Sequence, residues 1–304
     1  MSVELWALQL VNGLTIGGVY ALMALGYTMV YGILLMINFA HGEVFMVGAY
    51  AGYFALSYLS AENYARSNLF FSLALSFFVA MAASAVLAVL LERIAYRPLR
   101  RAPRLSPLIS AIGASIFIQN GVMLLTGARM KVYPYVFPAG GFQWGILSIS
   151  YLRAFIIATS VFLMLALYFF VKHTKMGKAM RAVAEDHDAA SLMGIDVNRV
   201  IAMTFFLGAV LAGAAGVMVG FLYTQIEHTM GFVPGIKAFT AAVLGGIGNI
   251  PGAMLGGFFL GLAETFAVQF LPAVYKDVVA FSLLILVLIF RPTGLLGEVV
   301  ARQA

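Results

Sequence analysis

The stretch that decides the architecture is Leu5–Ala40, LWALQLVNGLTIGGVYALMALGYTMVYGILLMINFA. It runs for 36 residues without an Asp, Glu, Lys or Arg. About 20 apolar helical residues cross the roughly 30 Å of bilayer hydrocarbon. At 1.5 Å per residue this run would reach about 54 Å as one helix. It is therefore either one tilted helix with a broken end or two shorter pieces, and Gly13, Gly17, Gly18, Gly26 and Gly32 allow breaks or close packing. Further uncharged stretches follow at 44–61, 67–91, 105–128, 154–171, 200–226, 238–263 and 278–290. The stretch 132–152 is also uncharged, but Pro134, Pro138, Gly140 and Gly141 mark it as a loop.

The whole chain agrees. Of 304 residues, 63% are hydrophobic and 10% charged, and the mean hydropathy is +1.00. Globular domains run nearer half apolar and a quarter charged, so a soluble fold could not hide this much apolar surface. Disordered chains are poor in hydrophobics and rich in charge, which excludes disorder. The expected fold is an all-α polytopic membrane protein. It should be a single transmembrane domain over 1–304, with about eight transmembrane or re-entrant helical segments and broken, Gly-rich helices. The absence of cysteine removes disulfides, thiolate zinc sites, iron–sulfur clusters and a cysteine nucleophile.

The net charge of +6 is placed by topology. Ten of the 18 Lys and Arg fall in Glu92–Arg104 and Lys172–Arg199. Both stretches lie between apolar runs, so they read as cytoplasmic by the positive-inside rule rather than as a nucleic-acid patch. Two spans separate them, which satisfies parity and makes 129–153 external. Ser60–Asn68 and the turn after 200–226 are external as well, and the C-terminus after Arg291 is internal. The side of the N-terminus stays open, because the number of crossings in 5–60 is ambiguous. Met-Ser-Val-Glu at the start carries no basic region, so no cleavable signal peptide is expected.

Two motifs interrupt the apolar runs. Asn38-Phe-Ala-His41-Gly-Glu43 puts three polar side chains into six residues. It reads either as a helix break lining a pathway, with Glu43 accepting a hydrogen bond, or as a surface loop with Asn38 capping the next helix. Lys237–Gly252 includes Thr240, Gly245, Gly246, Gly248, Asn249 and Pro251. Irregular backbone at membrane depth survives only inside protein or along a cavity. This segment therefore reads as two half-helices meeting at a turn or as a re-entrant hairpin; close packing through small residues is the alternative and suits Gly252, Gly256 and Gly257 better. Gln119, Asn120 and Glu264 lie within or beside spans and either line a pathway or bond neighbouring helices. Neither motif is a P-loop, a His-Glu-x-x-His site or a zinc deaminase signature, which needs cysteines. Histidines 41, 173, 187 and 228 are scattered over loops and form no catalytic or metal constellation.

The segment 172–199 is the most charged part of the chain. Met176, Met180, Val183 and Ala184 give it an apolar stripe. Asp188-Ala-Ala-Ser-Leu-Met-Gly194 fits one or two helical turns, with Asp188 as N-cap, Gly194 at C′ and Asp196 capping the next span. It is either a surface connector or a docking knob; 28 residues exceed what a short connection requires.

The sequence resembles the high-affinity branched-chain amino-acid ABC permeases of the LivH type. The resemblance runs in order through Met36–Glu43, Glu92–Leu99, Leu108–Gly113, Met176–Lys178, Ala184–Asp186, Ser191–Ile195, Lys237–Gly252, Tyr275–Val278 and Pro292–Gly294. It implies a permease domain in the bacterial inner membrane that pairs with a second, homologous permease as a heterodimer. Two cytoplasmic ATP-binding subunits would drive it, and a periplasmic amino-acid-binding protein would deliver leucine, isoleucine or valine. The chain itself would bind no cofactor and no metal, ATP being used by the partner subunits, and it would not be an enzyme. The 188–194 segment is similar to the Glu-Ala-Ala-x-x-x-Gly docking loop of ABC permeases, with Asp for Glu and without the downstream Ile-x-Leu-Pro. ATPase coupling is thereby assigned to Asp188, Ala189, Ala190 and Gly194, with Glu185 just ahead of them. The pathway candidates are Asn38, His41, Glu43, Gln119, Asn120, Thr240, Gly245, Gly246, Gly248, Asn249 and Glu264. The competing reading is an ion-gradient-driven secondary transporter, which broken helices and a weak internal repeat would also fit.

Overall fold

The computed structural model describes residues 3–61, 68–100, 102–103, 105–145 and 147–297. The uncharged run of the N-terminal region becomes one helix, α1 (Val3–Leu34), followed by α2 (His41–Ala61) and α3 (Leu69–Leu91). The chain continues through α4 (Leu105–Thr126), α5 (Tyr151–His173), α6 (Lys175–Glu185), α7 (His187–Leu192) and α8 (Val197–Tyr223). It closes with α9 (Phe232–Gly245), α10 (Ile250–Ala267) and α11 (Lys276–Phe290). Seven of the described helices are long and apolar enough to cross a membrane. The chain is thus an all-α polytopic membrane protein. The spacing of the apolar runs locates these helices because, in hydrocarbon, a spanning segment must satisfy its backbone internally.

Among the described residues, four short strands depart from the all-helical expectation. Lys131–Val132 pairs antiparallel with Gln225–Ile226, and Gly141–Trp144 with Leu147–Ser150. The hairpin lies where the prolines and glycines pointed to an irregular loop. Gly145 supplies a φ of +61° at its turn, and Phe142 sits opposite Ile149, an aromatic/β-branched pair of the kind that stabilises ladders.

The bundle is built around α1 and α8. α1 packs along α10, α8, α9 and α5, while α8 also packs against α2 and α3. Small residues set the closeness of these contacts. A Cβ added at Gly261 of α10 would lie 2.4 Å from the Gly17 Cα of α1, and one at Gly257 would lie 2.4 Å from the Ala21 Cα. Gly13, Gly17 and Ala21 on one helix and Gly257 and Gly261 on the other thus form two small-residue rows spaced by four, the pattern that lets membrane helices touch backbone to backbone. α2 and α8 meet the same way at Gly48 and Gly213.

Three charged regions converge on one end of the bundle. Glu92, fully buried, receives Arg97 at 2.9 Å and also Arg100. Arg100 in turn donates to Asn198 Oδ1 at 2.6 Å at the start of α8. His187 Nε2 contacts the Ile33 carbonyl at 2.8 Å, tying α7 to the last turn of α1. The tail 291–297 docks at the same end: Leu295 N donates to Leu244 O at 2.8 Å and Leu296 N to Gly245 O at 3.0 Å. Residues 101, 104 and 298–304, parts of the expected cytoplasmic regions, lie outside the described residues, as does 62–67 of the expected external turn. The start of α1 lies at the opposite end, so α1 makes one complete crossing.

Candidate functional site

The chain turns back on itself after α1. Leu35 adopts a φ of 51°, and the backbone then runs back beside α1 until α2 begins at His41. The first turn of α2 meets Gly26 of α1 and Gly208 of α8: a Cβ at Gly26 would lie 2.3 Å from His41 Nε2 and 3.2 Å from the Gly208 carbonyl. Gly208 is about 17 Å along α8 from its start at Val197, so α2 starts deep in the bundle. Asn38 holds the turn. Its Oδ1 accepts from Ala40 N at 3.1 Å and from the Tyr96 hydroxyl at 2.6 Å, while its carbonyl accepts from His41 N at 3.1 Å. Asn38 therefore does the local capping chemistry of a turn, but inside the protein and not on a membrane surface. Asn38, His41 and Glu43 are all buried.

Glu43 lies in the first turn of α2, where a negative charge is favoured by the helix dipole. Its Oε1 accepts from Ser115 of α4 at 3.1 Å, and Oε2 has no hydrogen-bond partner although the residue is only 1% exposed. On its other side stands the N-terminus of α9. A Cβ at Gly231 would come within 3.0 Å of Glu43 Oε2, and one at Gly42 would lie 2.4 Å from the Gly231 carbonyl. Only glycine at both positions lets the two helix starts meet. Beside them is a cavity of about 190 Å³. Tyr27, Ser115, Gln119 and Gly231 give it a few polar groups, and Phe39, Ile112, Ile116, Phe232 and Ile236 give it apolar walls. An apolar slot with a few placed polar groups, next to a buried carboxylate, is the form small-molecule sites take.

The structure brings together Asn38, His41, Glu43 and Gln119 from the pathway candidates and separates the others. Asn120 points away, on the exposed face of α4, bonded only to the Ile116 carbonyl at 2.8 Å. Thr240 is fully buried and bonds Ile236 O at 3.0 Å within its own helix. Gly245, Gly246, Gly248 and Asn249 form the turn between α9 and α10, at the end of the bundle occupied by the tail. Gly246 and Gly248 have φ of 105° and 95°, and Asn249 caps α10 by accepting from Gly252 N at 2.8 Å while donating to Leu296 O at 2.9 Å. The Gly-rich stretch is thus a hairpin turn joining a helix of 14 residues to one of 18. Gly252 and Gly256 pack against α9 and Gly257 against α1.

Glu264 is buried in an ion cluster centred on Lys237. Lys237 Nζ lies 2.7 Å from Glu264 Oε1 and 2.7 Å from Asp277 Oδ1, and Tyr20 donates to Glu264 Oε2 at 3.0 Å. These contacts join α1, α9, α10 and α11. Lys237 and Asp277 were visible in the sequence only as single charges flanking apolar runs, and no spacing rule links residues 237, 264 and 277. Ser115, Tyr27 and Phe232 were missed for a similar reason, since nothing distinguishes them from packing residues until α4 and α9 are brought beside α2.

The charged segment folds as two short helices. Thr174 caps α6, which buries Gly177, Met180 and Val183. The N-cap of α7 is Asp186, not Asp188 as the spacing suggested. Asp186 is extended and accepts from Asp188 N at 2.8 Å and Ala189 N at 2.9 Å, whereas Asp188 already lies within the first helical turn. The far end matches the expectation. Gly194 has φ of 83°, Gly194 N donates to Ser191 O at 3.0 Å and Ile195 N to Ala190 O at 3.1 Å, which is a Schellman stop. Asp196 caps α8 through Arg199 N at 3.1 Å. Ala190 is buried, while Glu185, Asp188, Ala189 and Gly194 face outward. Leu192 and Met193 at the tip are 88% and 83% exposed, a pair the sequence reading passed over.

Comparison with known proteins agrees with the architecture. The family model described as the permease component of branched-chain amino acid transport systems matches residues 9–288. The chain is 51% identical to the high-affinity branched-chain amino acid transport system permease protein BraD of Pseudomonas aeruginosa, over 95% of both chains. It is 48% identical to the corresponding permease protein LivH of Escherichia coli, again over 95% of both. A probable branched-chain amino acid transport permease of Methanocaldococcus jannaschii is 29% identical over 91% of this chain and 88% of its own. With the family model spanning nearly its whole length, the chain belongs to the branched-chain amino acid transport system permease family.

Proposed function

We propose that the chain is the membrane-spanning subunit of an ATP-driven importer for leucine, isoleucine and valine. It works beside a second, homologous permease, with two ATP-binding subunits on the cytoplasmic face and a soluble binding protein outside. The observation that carries this reading is the α6–α7 projection. A short helix stopped at both ends by caps presents Leu192 and Met193 to solvent, on a chain whose other charged surface is small. Exposed apolar residues at a rigid tip suit a cleft on a soluble protein. The orientation follows: 92–100, α6–α7 and the tail 291–297 share one end, and the basic residues make that end cytoplasmic. The chain would lie in a bacterial inner membrane.

The coupling route is short. A push on α7 reaches the last turn of α1 through His187 and Ile33. Val171, Met180, Arg181 and Ala184 line a small cleft shared with Met29, Gly32 and Gly248, so α6 also abuts α1 and the α9–α10 turn. Both routes lead toward the break at 35–43 and its cavity, where alternating access would be decided. Import by an ion gradient alone has no use for such a projection.

The test is radiolabelled leucine uptake into proteoliposomes that hold this chain, its partner permease and the ATPase subunits, with binding protein outside. Uptake should require both internal ATP and the binding protein. Uptake by this chain alone, driven by a proton or sodium gradient, would replace the proposal with a secondary carrier.

A further inference from the structure

A second cavity, of about 320 Å³, opens at the end of the bundle opposite the α6–α7 projection. It lies among α1, α5, α8, α10 and α11 and is separate from the slot beside Glu43. Its volume falls in the range of roughly 300–1,000 Å³ common for small-molecule sites. Its chemistry divides by wall. Arg153, in the first turn of α5, and Lys276, at the start of α11, both line it. Among the described residues neither cation has an ion pair, and no carboxylate lines the cavity. The nearby acids are engaged elsewhere, because Glu264 and Asp277 both turn to Lys237.

On the wall formed by α1 and α10, two hydroxyls present the opposite polarity. Thr15 donates its hydroxyl proton to Val11 O at 2.7 Å, and Thr265 donates to Gly261 O at 2.7 Å. Both protons are committed within the helices, so each oxygen offers the cavity only lone pairs. A hydroxyl in this state accepts from a cation and has nothing to give an anion. Ile16, Leu222 and Val268 add aliphatic surface, and Gln9, Asn12 and Tyr223 add groups that can both donate and accept. One cavity therefore offers donors for an anion, acceptors for an ammonium and an apolar wall.

We infer that this cavity is a binding site for an aliphatic α-amino acid, its carboxylate on Arg153 and Lys276 and its ammonium toward Thr15 and Thr265. The inference rests on the importer reading, which makes branched-chain amino acids the ligands available at that face. It assigns the permease a substrate site of its own, occupied before the ligand reaches the slot at the helix break. An aminophospholipid carries the same pair of charges beside aliphatic chains, so the experiment must separate the two sources.

The experiment uses the assembled complex in nanodiscs of phosphatidylcholine, with no ATP and no binding protein. Binding of radiolabelled leucine is measured against leucinamide, which lacks the carboxylate, and 4-methylpentanoate, which lacks the ammonium. Saturable leucine binding is expected, with both analogues competing poorly. Arg153→Gln with Lys276→Gln should weaken it at least about tenfold, and Thr265→Val should weaken it while leaving competition by 4-methylpentanoate unchanged. Assembly with the ATPase subunits, followed by size exclusion, checks that the variants fold. The proposal is overturned if the wild-type complex shows no saturable leucine binding, or if the double variant binds as well as wild type. It is equally overturned if mass spectrometry finds a phospholipid, anionic or amino, retained through Arg153 and Lys276 in place of leucine. ATP-dependent uptake in the proteoliposome assay is read separately, so loss of this site and loss of the importer reading give different results.

Discussion

Lys237 and Glu43 show how two buried charged groups of one bundle take different roles. Lys237 is clamped between Glu264 and Asp277, each at 2.7 Å. Removing one partner of such a set strands the other without compensation, at a cost of about 3–5 kcal/mol. Lys237→Met should therefore lower the thermal unfolding midpoint of the purified permease, and adding Glu264→Gln should recover most of the loss. A midpoint unmoved by Lys237→Met would mean the cluster holds nothing together. Glu43 has only the Ser115 bond, and its second oxygen has no partner. Glu43→Gln keeps the shape and that bond, so unfolding should shift little. Leucine uptake should nevertheless fall about tenfold, the worth of one charge-assisted hydrogen bond. Full uptake by that variant would remove Glu43 from the pathway. The sequence already marked Glu43 and Glu264 as expensive in a membrane. Which one is neutralised by a lysine 27 residues away depends on how α9 folds back on α10, and no local pattern reports that.

Among the elements, the contact of α1 with α10 depends most strictly on residue size. A valine at Gly257 would drive its side chain into the Ala21 backbone, and overpacking of this kind costs about 1–3 kcal/mol or more. Gly257→Val should leave little folded permease in the membrane, whereas Gly113→Val, on the open face of α4 where a Cβ meets nothing within 4 Å, should accumulate normally. Gly194→Asp is of a third kind. Its Cβ would meet nothing within 4 Å inside this chain, but the φ of 83° at this position strains any side chain. The strain is confined to the end of a short exposed helix, so insertion should be normal while uptake and stimulated ATP hydrolysis are lost. Gly194→Asn, which tolerates the left-handed conformation better, should keep more of both if the helix stop alone matters. The apolar runs and basic clusters made the helices and the projection legible, because hydrocarbon and charge act on each segment independently. The depth at which α2 begins was not legible, since Asn38 makes the same turn at a surface as in a core. The capping of α7 was misread by two residues because Asp186 and Asp188 have the same chemistry, and only backbone geometry separates them.

At the scale of the whole molecule, α4 lies at the margin. Ile109, Ile116, Phe117, Leu124 and Leu125 are exposed along it, and Asn120 sits among them with only an intrahelical bond. A polar amide facing lipid would be unfavourable, so in the assembled transporter this face should meet the second permease. With no native cysteine, Asn120→Cys is a unique thiol. It should cross-link to the partner permease and resist a lipid-soluble maleimide, while free labelling in the intact complex would place the face in lipid. The docked tail also bears on how the bundle moves. Leu295 and Leu296 supply donors to the carbonyls of Leu244 and Gly245, and Asn249 holds Leu296 in return. These partners lie some 50 residues apart in the chain, so the far end of α11 is stitched to the turn shared by α9 and α10. A tilt of α11 is thereby handed to that hairpin through backbone, with no side-chain slack between them.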